Sequence, residues 1–250
     1  MRPVVFVHGY TCDRSDWRQQ LDFFSARTRT WAPDLRGHGA NPGAAADCSI
    51  ETYGSDIATL LHENDLHDAL LVAHSMGCRV VLQAHLEARQ RVGAVALIDG
   101  SYRGEDRDAA QAERAMRASI DAEGYANFAR RLIGEMFLQP GAESEAAILR
   151  GLRLPAESGA ALYARMTRWD TLHMKNALAA VKVPLLVIQS TSPIPGHGRV
   201  SLKPGDTSPW LDLVRQCAPQ ARIEIIPSVG HFTQLEASEK VNALLSGLIG

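Results

Sequence analysis

The seven residues Leu71-Val72-Ala73-His74-Ser75-Met76-Gly77 constrain this chain more than any other stretch of it. An apolar run ends in a serine set among small residues, and a helix-like segment follows at once. The pattern is a slight variant of G-x-S-x-G, a turn from strand to helix so sharp that the serine is strained and its hydroxyl projects into the open. The flanking positions have to be small because strand and helix cross closely there. Gly77 meets that need fully, and Ala73 replaces the first glycine at the cost of one methyl. A buried strand, a tight turn, a helix and a candidate nucleophile, Ser75, are therefore implied together.

Around this turn, short apolar runs alternate with amphipathic stretches, which points to an α/β fold with a mostly parallel sheet flanked by crossover helices. Strands are expected at 4–7, 30–32, 69–73, 92–98, 183–189 and 222–226. Helices are expected at 15–25, at 50–63 behind a Ser49 cap, at 76–90 and at 238–248. The middle of the chain changes character. Ala109, Ala112, Met116 and Ile120 recur at helical spacing, as do Tyr125, Phe128, Leu132 and Met136. Residues 145–152 and 159–169 also read as helical, and the sheet pattern resumes only afterwards. The expected organisation is a core of residues 1–102 and 181–250, with a helical cap, 103–180, inserted between two strands.

At 250 residues the chain is long enough for one such domain with an insertion. Its 26 basic and 28 acidic side chains give a formal net charge of -2 and form no block of like charge. This argues against a nucleic-acid or acidic-lipid surface and leaves a small molecule as the expected partner. No apolar stretch approaches the roughly 20 residues that span a bilayer. The first strand begins almost at once, with no room for a secretory signal. Cys12, Cys48, Cys78 and Cys217 are scattered, with no C-x-x-C pair and no metal-ligand spacing. They read as reduced thiols, so a cytoplasmic protein without metal or cofactor is expected.

A serine hydroxyl is a poor nucleophile without a base. His231, on the short loop Val229-Gly230-His231-Phe232 after the last strand, is the candidate. His74 neighbours the serine in sequence, but an adjacent residue points away from the turn, so it is read as packing. The base needs a carboxylate to fix its tautomer. The stretch after strand 183–189, Ser190-Thr191-Ser192-Pro193-Ile194-Pro195, has none. Asp99, at the end of strand 92–98 on the edge where sites gather in open parallel sheets, is the choice, with Asp206 as rival. Backbone N–H groups of Met76, after the nucleophile, and of Tyr10, in His8-Gly9-Tyr10 after the first strand, would hold a developing oxyanion.

These motifs resemble the α/β-hydrolase fold of the cap-bearing kind. The likeness runs over nearly the whole chain, through Val7-His8-Gly9-Tyr10, Asp34-Leu35-Arg36-Gly37-His38-Gly39, Ala73-His74-Ser75-Met76-Gly77, Val183-Pro184-Leu185-Leu186-Val187 and Gly230-His231-Phe232. The resemblance implies acyl transfer to water at Ser75, with Asp34 and Arg36 shaping the loops rather than reacting. Two departures stand out. The usual two-stranded N-terminal hairpin is not seen, and the acid is shifted to Asp99. A carboxylate at that earlier strand is similar to some lactonases and to the cofactor-independent ring-cleaving dioxygenases of the same fold. Those dioxygenases also resemble the chain in a histidine beside the serine and an upstream Gly-His-Gly.

The leading expectation is a serine esterase or lactonase for a small apolar or aromatic substrate. Ser75 would attack, His231 would act as base, Asp99 would orient it, and Tyr10 and Met76 would hold the oxyanion. Phe128, Leu132, Met136, Tyr163, Met166 and Trp169 would line the pocket. The alternatives are a dioxygenase using a His231–Asp99 dyad on an N-heteroaromatic ring, and a non-catalytic ligand receptor on the same fold. The sequence sets neither the oligomeric state nor the natural substrate.

Overall fold

The structure, a computed structural model, describes residues 1–104, 108–139, 141–194 and 198–250. Residues 105–107 and 140 of the expected cap therefore lie outside the described residues, as does Pro195 after the fifth strand.

Four of the strands are buried at every position, on both faces, and carry no polar side chain except a terminal His74 in β3 and Gln189 in β5: β1 (Val4–Val7), β3 (Ala69–His74), β4 (Val92–Ile98) and β5 (Leu185–Gln189). Such runs suit a parallel sheet covered on both sides. With β2 (Thr30–Trp31) and β8 (Arg222–Ile225) they form a six-stranded sheet in the order β2-β1-β3-β4-β5-β8, parallel throughout. Side chains alternate between its faces with the period of two that a strand imposes. Val5, Val7, Leu71, Ala73, Val95, Leu97 and Val187 enter one core. Val4, Phe6, Leu70, Val72, Ala96, Ile98 and Ile188 enter the other.

The second core is closed by Phe24 of α1 (Arg18–Phe24) and by Val241 and Leu245 of α11 (Ser238–Ser246). The first and larger core is closed by α2 (Ile50–Glu63), α3 (Met76–Glu87), α8 (Lys175–Ala180) and α9 (Pro209–Cys217). Between β4 and β5 the described chain is helical: α4 (Ala109–Glu123), α5 (Tyr125–Gly134), α6 (Ala142–Gly151) and α7 (Ala156–Trp169), with a π-helical turn, Asp170–Met174, leading into α8. The short α10 (Thr233–Glu236) follows the last strand.

The strands lie close to where their apolar runs place them, and the differences have local causes. The helix expected at 15–25 begins as a 3₁₀ turn, Arg14–Trp17, because the Asp13 side chain caps Ser15. Helix α3 stops at Glu87 rather than 90, and a 3₁₀ turn, Arg89–Arg91, follows it. An antiparallel pair, β6 (Thr191–Ile194) with β7 (Gly198–Ser201), went unpredicted because its strands are short and its residues polar. Helix α9 was also missed, although Ser208 caps it and Pro209 stands in its first turn, a recognisable start signal. All four cysteines are free, and among the described residues no helix is long and apolar enough to cross a membrane.

One buried ion pair ties the inserted helices to α3. Arg79 of α3 donates from Nε to Asp170 Oδ1 at 2.8 Å and from Nη2 to Asp170 Oδ2 at 2.7 Å, and both side chains are essentially inaccessible. Nη2 also reaches the Ser101 carbonyl at 2.9 Å, and Asp170 accepts the Arg103 N–H at 2.8 Å. Removing one partner of such a pair strands a charge in a low dielectric and costs about 3–5 kcal/mol. Asp170→Ala should therefore lose about that much in urea unfolding. Arg79→Met with Asp170→Leu, which removes both charges, should recover most of it. A loss below about 1 kcal/mol in the single variant would show that the pair does not clamp these helices.

Candidate active site

The site gathers at the carboxyl ends of β1, β3 and β4, beside the point where the strand order reverses. Ser75 follows β3 at φ +54° and ψ −113°, a conformation that costs a non-glycine residue about 1–3 kcal/mol. The fold holds it there. Its N–H donates to the Ile98 carbonyl at 2.9 Å, and α3 starts at the next residue. Helix α3 crosses β1 so closely that a Cβ on Gly77 would stand 2.4 Å from the Val7 carbonyl oxygen and 2.8 Å from that of His8. Both are backbone atoms with no room to yield, which is why a glycine stands two residues after the serine.

Ser75 Oγ lies 2.8 Å from His231 Nε2, and His231 Nδ1 lies 2.6 Å from Asp99 Oδ2. Three residues separated by up to 156 positions thus form one hydrogen-bonded line. Ser75 is half-buried, while His231 and Asp99 have no exposed surface. Asp206, the rival acid, is exposed and accepts the Lys203 N–H at 2.8 Å, away from this line.

Asp99 is itself at positive φ, +45°, which turns its carboxylate inward at the strand end. Burial alone would push its pKa up, but donors outweigh burial. Oδ1 accepts the Ser190 and Thr191 N–H groups at 2.9 and 3.0 Å. Oδ2 accepts the Thr191 hydroxyl at 2.6 Å besides His231, and Arg199 Nη1 stands 3.4 Å away. The carboxyl is held at about 2. The turn after β5, which carries no acid of its own, thus donates its backbone to the acid of the neighbouring strand.

His231 moves the other way. Burial disfavours its cation, the Arg199 charge adds to this, and Asp99 offsets only part, so the imidazole falls to about 4. At neutral pH it is uncharged, with Nδ1–H donated to Asp99 and Nε2 free to accept from Ser75. Its N–H donates to the Met136 carbonyl at 2.8 Å. His74, expected to do no more than pack, also supports it. Its Nε2–H donates to the His231 carbonyl at 2.9 Å, and the rings lie 4.7 Å apart.

The loop after β1 passes directly over the serine. A Cβ on Gly9 would stand 3.0 Å from His74 Nδ1 and 3.3 Å from Ser75 Cβ. Buried His8 fixes this loop. Its Nδ1–H donates to the Gly9 carbonyl at 2.8 Å and its Nε2 accepts the Leu35 N–H at 3.0 Å, with burial lowering the ring to about 3 so that it stays neutral. Met76 opens α3, where N–H groups have no acceptor within the helix, and Tyr10 follows Gly9 on the other side. Asp34 and Arg36 stay away from the serine: Asp34 caps the Arg14 and Ala40 N–H groups, and Arg36 forms a forked pair with Asp56 at 2.7 Å.

Above the serine opens a cavity of about 690 Å³. Ser75, Tyr10, Phe128, Leu132, Met136, Tyr163 and Met166 line it. Trp169 does not. It is fully buried, and its Nε1 donates to Gln83 Oε1 at 3.0 Å, so it packs α7 against α3 on the face turned from the cavity. Trp210 and Arg199, which line the cavity, were not anticipated. They belong to α9 and β7, two of the elements the apolar pattern did not announce.

A family model described as the alpha/beta hydrolase family matches residues 4–244. The chain is 25% identical over 245 residues to the dihydrolipoyllysine-residue acetyltransferase component of an acetoin cleaving system from Pseudomonas putida, covering 96% of this chain and 61% of that protein. More broadly, the chain spans less than two thirds of the length of the curated relatives it matches. In structure it is similar to a thermophilic esterase from Thermogutta terrifontis, with a TM-score of 0.79 and 23% identity over 100% of this chain and 91% of the other. It is also similar to the enol-lactonase of Burkholderia xenovorans LB400, with a TM-score of 0.72 and 20% identity over 99% and 90% of the two chains. At these identities the structural likeness is one of fold. With its all-parallel sheet, its serine turn and a family match that spans 241 of its residues, this chain belongs to the alpha/beta hydrolase family.

Proposed function

We propose that the protein is a serine hydrolase that cleaves a carboxylic ester or lactone through an acyl-enzyme. The observation that carries this reading is the 2.8 Å contact between Ser75 Oγ and the neutral His231 Nε2, at the floor of a cavity large enough for a small organic ligand. Ser75 attacks the carbonyl carbon as its proton passes to Nε2. Asp99 stabilises the imidazolium that forms and keeps the ring turned toward the serine. The Met76 and Tyr10 N–H groups receive the oxyanion. His231 then returns its proton to the leaving oxygen as the ester bond breaks, next takes one from the water whose oxygen attacks the acyl carbon, and gives it to Ser75 Oγ as the acyl–Oγ bond breaks and the acid leaves. The helices between β4 and β5 serve as a cap, and Phe128, Leu132, Met136, Tyr163 and Met166 give it an apolar inner face.

A fluorophosphonate should label Ser75 in the wild type and nothing in Ser75→Ala. On a panel of p-nitrophenyl esters and lactones, Ser75→Ala should lower kcat by roughly a millionfold. Asp99→Asn should lower it about 10³–10⁴-fold, and Asp206→Asn should leave it within about twofold. If Ser75→Ala keeps turnover and consumes oxygen on a hydroxyquinolone, the reading fails in favour of a dioxygenase that needs only the His231–Asp99 dyad. Slow single turnover on every ester, with a tight protein partner, would favour a receptor instead.

The pH profile gives an independent check. The base works only when uncharged, and its pKa in the free enzyme is depressed to about 4. The acid limb of kcat/KM should therefore fall through about pH 4, with the rate level from there to neutrality. An inflection above the ordinary histidine value of about 6.5 would contradict a base kept neutral by burial.

A further inference from the structure

The charges around the cavity do not balance. Arg79 lines it but is engaged by Asp170. Arg131 lines it but is held by Glu123 at 2.8 Å and Glu135 at 3.6 Å. That leaves Arg103 and Arg199. The Arg199 side chain, on β7, is 8% exposed. Its Nη1 donates to Thr191 Oγ1 at 2.8 Å and stands 3.4 Å from Asp99 Oδ2, while among the described residues its Nε and Nη2 have no hydrogen-bond partner. Asp99 is a weak counter-ion for it, because that carboxylate already accepts from His231, the Thr191 hydroxyl and two backbone N–H groups. Arg103 makes no ion pair among the described residues; its guanidinium sits 5.0 Å from the centre of the Tyr163 ring.

A buried guanidinium without its own anion is costly, and its planar fork matches a carboxylate in two parallel hydrogen bonds. Arg103 and Arg199 also act on each other. Burial, and beyond it the Arg103 charge, hold the Arg199 pKa below the usual guanidinium range. An anion bound between them would relieve both effects. The position fits a substrate group remote from the reacting carbonyl. Arg199 stands at the Asp99 end of the hydrogen-bonded line and Ser75 at the other, with the His231 ring between. Arg199 and Ser75 line the same cavity, whose walls also include Phe128 and Leu132.

We propose that the substrate is an ester or lactone that also carries a carboxylate, bound by the Arg103 and Arg199 guanidinium groups while Ser75 meets the ester carbonyl. The proposal rests on the serine-hydrolase reading and narrows its substrate class from apolar compounds to amphipathic acids. Several carbons have to separate the two functional groups so that the chain spans the width of the imidazole.

The test compares mono-p-nitrophenyl adipate with p-nitrophenyl hexanoate, which have the same six-carbon acyl chain and differ in whether it ends in a carboxylate or a methyl group. The wild type should favour the adipate ester in kcat/KM by about tenfold or more, mostly through KM. Arg103→Gln and Arg199→Gln should each lower that ratio by about tenfold. The ratio is the readout because Arg199 also touches Asp99. Should Arg199→Gln fail to fold, Arg103→Gln, whose side chain is only half-buried, carries the test. In parallel, adipate is titrated calorimetrically into Ser75→Ala, where it should bind and lose about tenfold in affinity on adding Arg103→Gln. A wild-type ratio at or below one, or a ratio that ignores both substitutions, overturns the proposal. If neither ester is cleaved, the hydrolase reading fails and the titration alone decides. Adipate binding that weakens with Arg103→Gln upholds the carboxylate site, and no binding, or binding indifferent to that change, overturns it.

Discussion

The buried carboxylate of Asp99 is the interaction on which the rest of the site depends. A carboxylate with no exposed surface is tolerable only when its oxygens are saturated with donors. Here the donors come from three places: the turn after β5, strand β7 and the loop bearing His231. The same contacts that keep Asp99 ionised therefore fix the spacing of β4, β5 and the histidine loop. The imidazole is aimed because the acid is held, and the acid is held because two sheets and a loop close around it.

Strain and clamping work together on the other two members of the line. The unfavourable backbone of Ser75 persists because β3, the Ile98 carbonyl and the close crossing of α3 over β1 leave no alternative. His231 is anchored from above and below, by the Met136 carbonyl near the end of α5 and by the His74 ring. The inserted helices thus do more than roof the cavity. The Met136 carbonyl just after α5 holds His231 directly, and through Arg79 and Asp170 these helices are locked to α3, the helix that follows Ser75.

Much of this was legible in the sequence where the physics is local. A parallel strand buried on both faces is apolar along nearly all its length, and those of this sheet announced themselves. The serine turn demanded small neighbours, and Gly77 supplied the one that matters most. Asp99 was reachable because a strand end in the right order is a restrictive place, even with the usual acid position empty. What stayed hidden depends on polar contacts made across the fold. Thr191 and Arg199 sit in a short polar sheet that gives no hydrophobic period, so nothing in their neighbourhood marks them as partners of Asp99. His74 was read as filler because sequence adjacency shows which way a residue points but not what its far end touches. Trp169 was placed in the cavity because it lies on a cap helix. The helical face it shares with buried neighbours turns it toward Gln83 instead.

The central claim is that Asp99 holds His231 as a neutral ring with the proton on Nδ1 and the lone pair on Nε2 facing Ser75. Nitrogen-15 NMR of the histidine-labelled protein at pH 7 reads this directly. The account predicts a protonated Nδ1 and a bare Nε2 for residue 231, with that tautomer lost in Asp99→Asn. A doubly protonated ring, or a proton on Nε2 in the wild type, would contradict it.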